Sequence, residues 1–436
     1  MTDPFPATLP GVPAPVVAGY ARRGDRVLEN EEFERHLAQA VRLENVGIML
    51  GAGASLGCGG MSMAGLWQDF EESNAPKVAE LRAWGFLRVP PGQTPNVETL
   101  LDELTVACLD AERRGHVNAV GVPSSAQLDD LRVSLLRAVL KASLLDRDWL
   151  CDPSQAAASD ALSDHVKILT RLVHTRQPGQ PAPWVFTTNY DMAVELAAEN
   201  AALSVRDGFS GFHNRTFTPS SFDLGLRNTE SRGEAQFGTY EVYLAKLHGS
   251  LSWESTSDGN VRAVQIAAAC DRLFAFAEGT SSEPPGVLIY PSSAKFVDTV
   301  GFVYGEMIRR FTHYLSRPNV SLIVSGYGFG DFHLNRVLLS ALNNPTLQLI
   351  VYLPEIAGFD NAGNAVNATD LREGVNRILD LRLPQITVIG GGDKAYLSAL
   401  AQHLPDPTVL DDPAARGRVL AKALADQLTS PQPMTS

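Results

Sequence analysis

Short runs of almost continuously apolar residues recur along the chain, and most are separated by stretches with helical periodicity. Such runs indicate buried parallel strands, because a strand covered by helices on both faces does not alternate between apolar and polar positions. The predicted strands are VGIML (46–50), WVFTT (184–188), VYLAKL (242–247), GVLIY (286–290), SLIVSG (321–326), LQLIVYL (347–353) and ITVIG (386–390).

Apolar positions spaced three and four residues apart predict helices around these strands. The alternation of strands and helices favours an α/β fold, namely a doubly wound, Rossmann-like parallel sheet with a helical insertion or subdomain. The predicted helices cover about 29–43, 97–110, 128–145, 165–175, 192–199, 303–315 and 333–343.

The same pattern divides the 436 residues into three parts. Residues 1–45 are predicted to form an N-terminal arm, rich in Pro and Ala over 1–27, followed by a helix. Residues 46–403 form the predicted main domain, with the helical insertion at about 70–180, and residues 404–436 form a C-terminal tail.

Composition and charge exclude several classes of protein. The net charge of −13 argues against a chain that wraps nucleic acid over its whole surface, because phosphate binding needs clustered Lys and Arg. A local basic patch stays open, but direct nucleic-acid binding is not expected. No run of about 18 uncharged apolar residues occurs, and the N-terminus has neither the basic nor the apolar segment of a signal peptide. We therefore expect a cytoplasmic protein with no membrane contact.

The four cysteines are widely spaced and include no C-x2-C pair; they are Cys58, Cys108, Cys151 and Cys270. Zinc ribbons use paired cysteines, so no zinc site is expected. In a cytoplasmic protein we expect most of these residues to be free, buried thiols. Cys58 lies near a candidate site, and packing is its expected role.

A glycine-rich stretch, GAGASLGCGGMSMAG (51–65), follows the first predicted strand. It matches the dinucleotide fingerprint G-x-G-x-x-G incompletely, since Leu56 stands in place of the last glycine, and the chain has no P-loop. A strand followed by such a turn is still a suitable seat for a diphosphate, because the turn exposes N–H groups. A tight turn without a ligand is the alternative.

Three further segments place polar residues at strand ends, where open α/β sheets bind ligands. Taken singly, each has a plainer interpretation: Asn189 or Asp191 as a helix N-cap, and His248 as a structural hydrogen-bonding residue. The third segment contains a second glycine turn with Asp331 just before a helix. These segments are WVFTTNYDMAVELAAE (184–199), YLAKLHGSLSWE (243–254) and SLIVSGYGFGDFHLNRVLL (321–339).

Taken together and in this order, GAGAS, TTNYD, KLHGSLSW and SGYGFGDFHLN resemble the sirtuin (silent information regulator) superfamily, in particular its bacterial branch found in antiphage defence. The resemblance covers about residues 46–400. It implies that Asn189 contacts the nicotinamide ribose of NAD, Asp191 the carboxamide, and His248 the ribose hydroxyls or a water. The NAD-binding residues that it implies are Gly51, Ala52, Gly53, Ala54 and Ser55 at the diphosphate, Gly326, Tyr327 and Gly328 beside the adenosine part, and Thr188 where the family usually has Gln.

Two departures from the family refine the implied activity. The cysteine pairs of the zinc module are missing, and GGMSMAG (59–65) stands where deacylating sirtuins carry Asp-Phe-Arg. An acyl-lysine channel is therefore not expected, whereas the NAD-cleaving centre is.

The implied enzyme is an NAD glycohydrolase that uses NAD as substrate, with water as nucleophile and nicotinamide and ADP-ribose as products. A cyclised ADP-ribose is the alternative product. Asn189 would orient a hydroxyl or water, and His248 would be a base near neutral pH. The alternatives are a non-catalytic scaffold that binds NAD or ADP-ribose in a defence complex, and a protein-lysine deacylase.

Unrestrained NAD hydrolysis is toxic, so an effector of abortive infection requires control. Relatives that sense a cyclic nucleotide carry an additional C-terminal sensor domain, which is not expected in the residues after about 400. The resemblance implies instead a homo-oligomer that associates with a HerA-type ATPase, with the arm at 1–27 as an assembly strap.

Overall fold

The computed structural model describes residues 17–90, 94–114, 122–157, 160–177, 179–226, 240–256, 260–282, 299–368 and 371–406. Their strands are Ala21–Arg23 (β1), Arg26–Leu28 (β2), Asn45–Leu50 (β3), Trp184–Thr187 (β4), Ser204–Arg206 (β5), Phe209–Ser210 (β6), Arg215–Phe217 (β7), Glu241–Lys246 (β8), Trp253–Ser255 (β9), Val261–Ala263 (β10), Val320–Ser325 (β11), Gln348–Tyr352 (β12), Gly358–Phe359 (β13), Ala365–Val366 (β14) and Ile386–Ile389 (β15).

The α-helices of these residues are Asn30–Ala40 (α1), Met63–Ser73 (α2), Ala75–Ala83 (α3), Val97–Arg114 (α4), Ser125–Ser143 (α5), Arg147–Cys151 (α6), Pro153–Ala157 (α7), Ser163–His174 (α8), Ala193–Asn200 (α9), Ile266–Ala277 (α10), Thr299–Leu315 (α11), Phe332–Ala341 (α12), Glu373–Asp380 (α13) and Leu397–His403 (α14). No helix in this part of the chain combines the length and the apolar character that are needed to cross a bilayer.

A nine-stranded sheet forms the centre of the fold, in the order β2-β1-β15-β12-β11-β3-β4-β8-β5. Every neighbouring pair from β15 to β5 is parallel. The hairpin β1-β2 extends the sheet with antiparallel pairing of β1 to β15. The predicted α/β class with a parallel sheet is confirmed.

The direction of winding reverses between β3 and β11, which are neighbours in the sheet. From β3 the next sheet strand along the chain is β4 on one side, and from β11 it is β12 on the other. At such a point the loops after the two strands diverge and open a crevice in which doubly wound proteins bind ligands. The two glycine-rich turns flank this crevice.

Helices cover both faces of the sheet, as continuous apolar strands require. Met49 and Phe186 point to the face that packs against α11 and α12. Ile48 and Val185, their neighbours in the chain, point to the opposite face, which packs against α1, α8 and α9. Each of these four side chains is fully buried, which contributes about 1.5–3 kcal/mol per side chain to folding.

The predicted strands in the described residues all occur, as β3, β4, β8, β11, β12 and β15, while GVLIY (286–290) lies outside the described residues. The prediction missed β1, β2, β5, the small antiparallel sheet β6-β7-β10-β9 and the two-stranded sheet β13-β14. These strands have two or three residues, too few to show a period in the sequence.

The helical region between β3 and β4 has its own core. Its helices α2, α4, α5 and α6 bury Phe70, Leu104 and Leu135 among themselves and with α10. Tyr190 and Leu251, from the loops after β4 and β8, belong to the same core. The region therefore packs directly on the loops that carry the candidate site residues.

The expected state of the cysteines is wrong for one pair. Cys151 at the end of α6 and Cys270 in α10 form a disulfide across a separation of 119 residues. Cys58 and Cys108 are free and buried, as expected. The pairing depends on the packing of α6 against α10, which the spacing of cysteines in the sequence does not reveal.

The N-terminal arm predicted for 1–27 lies partly outside the described residues, which begin at 17. Its second part contains β1, whose pairing with β15 fixes it to the edge of the sheet. At the other end α14 closes the described fold, and residues 407–436 lie outside the described part. The division of the chain at 45 and 403 stays a prediction.

Candidate active site

The two glycine-rich turns contact each other through their backbones. The N–H of Gly51 donates to the carbonyl of Ser325 at 3.0 Å, and the N–H of Gly53 donates to that of Gly326 at 2.9 Å. A Cβ on Gly51 would lie 2.5 Å from the Gly326 oxygen, and one on Gly326 would lie 2.2 Å from the nitrogen of Ala54. Gly326 also has a φ of +67°. These glycines are therefore required by the close packing of one turn on the other.

Two amides of the first glycine turn donate hydrogen bonds within the protein, although the glycine spacing predicts that they are exposed. Residues 52–58 form a 3-10 helix, in which the N–H of Gly53 donates to Gly326 and the N–H of Ala54 donates to the carbonyl of Gly51 at 2.9 Å. These two N–H groups are used within the protein and do not point to a diphosphate. These two amides already have protein partners, and the diphosphate contact implied for residues 51–55 stays a prediction.

Asn189 is fixed to the first turn by its side chain. Its Nδ2 donates to the carbonyl of Gly51 at 3.0 Å and to the Ser55 hydroxyl at 2.9 Å. The Ser55 hydroxyl donates in turn to Asp191 Oδ2 at 2.6 Å, and Asp191 Oδ1 accepts from the N–H of Ala193 at 3.0 Å. Ser55 and Asp191 are buried.

This chain of hydrogen bonds decides which atom of Asn189 is available. A carbonyl only accepts, so the amide nitrogen of Asn189 must face Gly51, and Oδ1 is the atom left to accept a hydrogen bond from a ligand hydroxyl. Ser55 and Asp191 were expected to contact the diphosphate and the carboxamide. In this structure their polar atoms hold Asn189 and the start of α9 in place, and their contacts with NAD stay predictions.

A buried lysine also holds the loop after β4, which carries Asn189 and Asp191. Lys246, at the end of β8, donates through Nζ to the carbonyl of Tyr190 at 3.3 Å, to the carbonyl of Asp191, and to Glu195 Oε1 at 2.8 Å. Its side chain is 2% exposed. Because charge-assisted bonds are stronger than neutral ones, the ammonium fixes the backbone on either side of the Asp191 side chain.

His248 lies between two carboxylates from different elements. Its Nδ1 is 3.2 Å from Glu98 Oε1 and its Nε2 is 2.9 Å from Asp331 Oδ2. Glu98 is in the first turn of α4, and its Oε1 also accepts from the Tyr190 hydroxyl at 3.1 Å. Asp331 is the N-cap of α12, where Oδ1 accepts from two backbone N–H groups.

Glu98, His248 and Asp331 shift one another's pKa values toward their charged forms. Burial disfavours the charged imidazolium, but Glu98 and Asp331 outweigh burial and raise the pKa of His248 to about 10. Burial likewise opposes ionisation of the two carboxyls, yet His248 lowers the pKa of both. His248 in this arrangement is thus an imidazolium that donates to two carboxylates, and its role as a base near neutral pH stays a prediction. The group carries one net negative charge.

A cavity of about 1500 Å³ opens over these residues. Glu98, Tyr190 and Asp331 line it. Gly51 and Ala54 are not among its lining residues and lie in the contact between the turns. The predicted site residues that line it are Ala52, Gly53, Ser55, Thr188, Asn189, Asp191, His248, Gly326, Tyr327 and Gly328.

At the second turn, polar groups of the protein hold Tyr327 and Gly328. The Tyr327 hydroxyl donates to Asn335 Oδ1 at 3.0 Å, and the carbonyl of Gly328 accepts from Arg372 at 3.2 Å. The turn is therefore fixed to α12 and to the segment before α13, and its residues present one wall of the cavity.

Sequence reasoning missed Glu98 and Lys246, and it noted Asp331 only as a residue before a helix. Asp331 had a usable signal, since it follows a glycine turn at a strand end. Glu98 lies on a helix with an ordinary amphipathic pattern, and Lys246 lies near the end of an apolar strand. Neither position differs in sequence from a structural residue.

Cys58 does not provide a nucleophile. Burial, followed by the nearby Asp191 carboxylate, raises the pKa of its thiol to about 12, so the thiol stays protonated at neutral pH. Within the described ranges, no group of three or more His, Cys, Asp or Glu residues is arranged to hold a metal ion. The absence of zinc stays a prediction.

Comparison with known proteins gives a limited result. No protein-family model matches the chain. No curated protein matches it either. Among solved structures, the chain is similar to one titled "Crystal structure of a Sir2 homolog-NAD complex", at 14% identity over 88% of this chain and 96% of that chain, with a TM-score of 0.36.

Proposed function

We propose that this protein is an NAD glycohydrolase, which cleaves the bond between nicotinamide and ribose and transfers the ribose to water. One observation carries the proposal. Asn189, whose Oδ1 is available as an acceptor, and the Glu98–His248–Asp331 group line the same cavity, beside the two glycine turns that contact each other. The order of the sequence motifs, which resembles the sirtuin superfamily, supports NAD as the substrate.

The chemistry needs few groups from the protein. The nicotinamide nitrogen is cationic, so it leaves with the electron pair of the C1′–N bond and becomes neutral without a general acid. The positive charge that develops at the ribose is stabilised by nearby negative charge and by fixed hydrogen bonds to the ribose hydroxyls. Water then forms the new C1′–O bond and releases one proton. The products are nicotinamide, ADP-ribose and a proton.

Each side chain has a proposed role in this reaction. Asn189 accepts a hydrogen bond from a ribose hydroxyl through Oδ1 and so orients the ring. His248, held as an imidazolium, positions the two carboxylates and donates to a hydroxyl or water when substrate displaces one of them. The carboxylates supply the negative charge and an acceptor for the proton of the attacking water.

A non-catalytic scaffold that binds NAD or ADP-ribose is the second candidate. One observation favours it: both ring nitrogens of His248 are engaged by carboxylates, so the imidazole itself is not available as a base. The scaffold predicts NAD binding without turnover, whereas the enzyme predicts release of nicotinamide. A protein-lysine deacylase predicts turnover only with an acylated peptide.

The proposed biological role is an effector of antiphage defence that depletes cytoplasmic NAD. This role follows from the motif resemblance and requires restraint until infection. We propose a homo-oligomer that associates with a HerA-type ATPase encoded beside it. Light scattering and co-purification test this assembly; a monomer at micromolar concentration with full activity and no response to the ATPase would contradict it.

The function is tested by incubating NAD with the purified chain, with and without the ATPase and an acetyl-lysine peptide. We expect NAD consumption that does not respond to the peptide, and a loss of about 100-fold or more in turnover for His248→Ala with a smaller change in NAD affinity. Elemental analysis should find no stoichiometric zinc. O-acetyl-ADP-ribose formed in proportion to peptide would instead establish a deacylase.

A further inference from the structure

We propose that Glu98 contacts the substrate: its Oε2 accepts a hydrogen bond from the nicotinamide ribose, and its negative charge stabilises the cation that develops at C1′. This inference rests on the proposed function. If it is right, the helical region between β3 and β4 contributes, from α4, a residue that contacts the reacting ribose.

The contacts of Glu98 leave one of its oxygens available. His248 Nδ1 at 3.2 Å and the Tyr190 hydroxyl at 3.1 Å both meet Oε1. Within the described part of the chain no hydrogen bond reaches Oε2. The side chain is 26% exposed, and it lines the same cavity as Asn189. A carboxylate held by one oxygen presents the other to a ligand in that cavity.

Asp331, the other carboxylate on His248, has no such spare atom. Its Oδ1 accepts from the backbone N–H groups of His333 at 2.7 Å and Leu334 at 3.0 Å, while Oδ2 contacts His248. Asp331 therefore fixes the imidazole to the start of α12. Of the two carboxylates, Glu98 is the one with an oxygen that accepts no hydrogen bond from the described residues.

Electrostatics point in the same direction. Burial opposes the charge on Glu98, but His248 and the Tyr190 hydroxyl lower the pKa of the carboxyl below its usual range, so it is ionised at neutral pH. An oxocarbenium-like transition state gains from a fixed negative charge in a site with little water.

The first turn of α4 is held by Asn96, whose side chain accepts from the N–H of Thr99 at 3.1 Å. The carboxylate is therefore placed by a capped helix.

The test compares Glu98→Gln with Glu103→Gln in the full chain. Glu103 lies on the same helix and pairs with Arg88 at 3.6 Å, outside the cavity lining. For Glu98→Gln we expect nicotinamide release to fall about 100-fold and the Kd for ADP-ribose to rise about 10-fold. Glu103→Gln should match the parent in both. Glu98→Asp, which keeps the charge, serves if the glutamine variant does not fold.

A double mutant separates direct contact from an effect through His248. If Glu98 touches the ribose, Glu98→Gln weakens ADP-ribose binding about 10-fold even in the His248→Ala background. No further weakening there would overturn the proposal and leave Glu98 as a positioning residue.

The outcomes also separate this inference from the proposed function. If the parent binds ADP-ribose but releases no nicotinamide, the enzymatic proposal fails, and the ADP-ribose affinities still decide the role of Glu98. An unchanged rate and Kd in a folded Glu98→Gln variant would refute the contact alone. A parent chain that binds neither NAD nor ADP-ribose would refute both.

Discussion

Replacing Asn189 by alanine separates the cost in stability from the cost in catalysis. The change removes two hydrogen bonds, from Nδ2 to the carbonyl of Gly51 and to the Ser55 hydroxyl, together with the acceptor Oδ1. Neutral hydrogen bonds contribute about 0.5–1.5 kcal/mol each, so the two bonds cost about 1–3 kcal/mol in the free energy of unfolding. Ser55 keeps its bond to Asp191, which limits the damage to the turn.

The catalytic cost of the same change is much larger. An acceptor that strengthens as the ribose approaches the transition state is worth about two to four orders of magnitude in turnover. Nicotinamide release at saturating NAD measures this loss, and thermal unfolding measures the stability, where we expect Tm to fall by only a few degrees.

Asn376→Ala is the matched control for Asn189→Ala. Asn376 is exposed on α13, donates one bond to the carbonyl of Leu371 at 3.1 Å, and does not line the cavity. It should keep the parental rate. A folded Asn189→Ala protein that also keeps the parental rate would show that Asn189 only holds the turn, and the assignment of the site would fail.

Three further changes test other parts of the account. Gly326 has a positive φ and lies against the backbone of the opposite turn, so Gly326→Ala should cost at least about 2 kcal/mol in the free energy of unfolding and abolish NAD binding. Gly57 has open space at its Cβ, so Gly57→Ala should keep the parental stability. Equal Tm values for the two variants would contradict this reasoning. The pKa of His248 is raised from a value near 6.5 in the unfolded chain to about 10 in the folded protein. The parent should therefore be more stable than His248→Gln by the full amount below about pH 6.5, and this difference should disappear as pH rises through 10. A constant difference in Tm across this range would refute the ion pairs of His248 with Glu98 and Asp331. Lys246→Met leaves two carbonyls and Glu195 without the buried ammonium and should cost about 3–5 kcal/mol in urea unfolding; a loss below about 1 kcal/mol would show that the ammonium is not needed.

The sheet could be predicted because its physical cause is local in sequence. A strand buried on both faces must be apolar at successive positions, and β3 and β11 are buried at all six of their residues. The same logic found Asn189 and His248, since each follows such a strand. Short edge strands such as β1 and β5 carry no comparable pattern.

The rest of the site depends on packing between distant elements. Glu98 is 150 residues from His248 in the chain, and only the placement of α4 against the loop after β8 brings them together. The cysteine pair joined across α6 and α10 was hidden for the same reason.

The glycine-rich turns show a second limit of the sequence. Glycine indicates that something approaches the backbone closely, and here the approaching group is the other glycine turn. Spacing alone predicted a ligand at those amides. In this structure the N–H of Gly53 donates to the carbonyl of Gly326, so this amide joins the two turns.

The amount of nicotinamide released per NAD consumed tests the central claim most directly. Mass spectrometry of NAD incubated with the purified chain, alone and with the HerA-type ATPase, measures substrate and both products together. We predict nicotinamide and ADP-ribose in equal amounts, without any acylated peptide, and release that is slower by about two to four orders of magnitude for Asn189→Ala. NAD that binds to the folded chain but stays intact under both conditions would contradict the account.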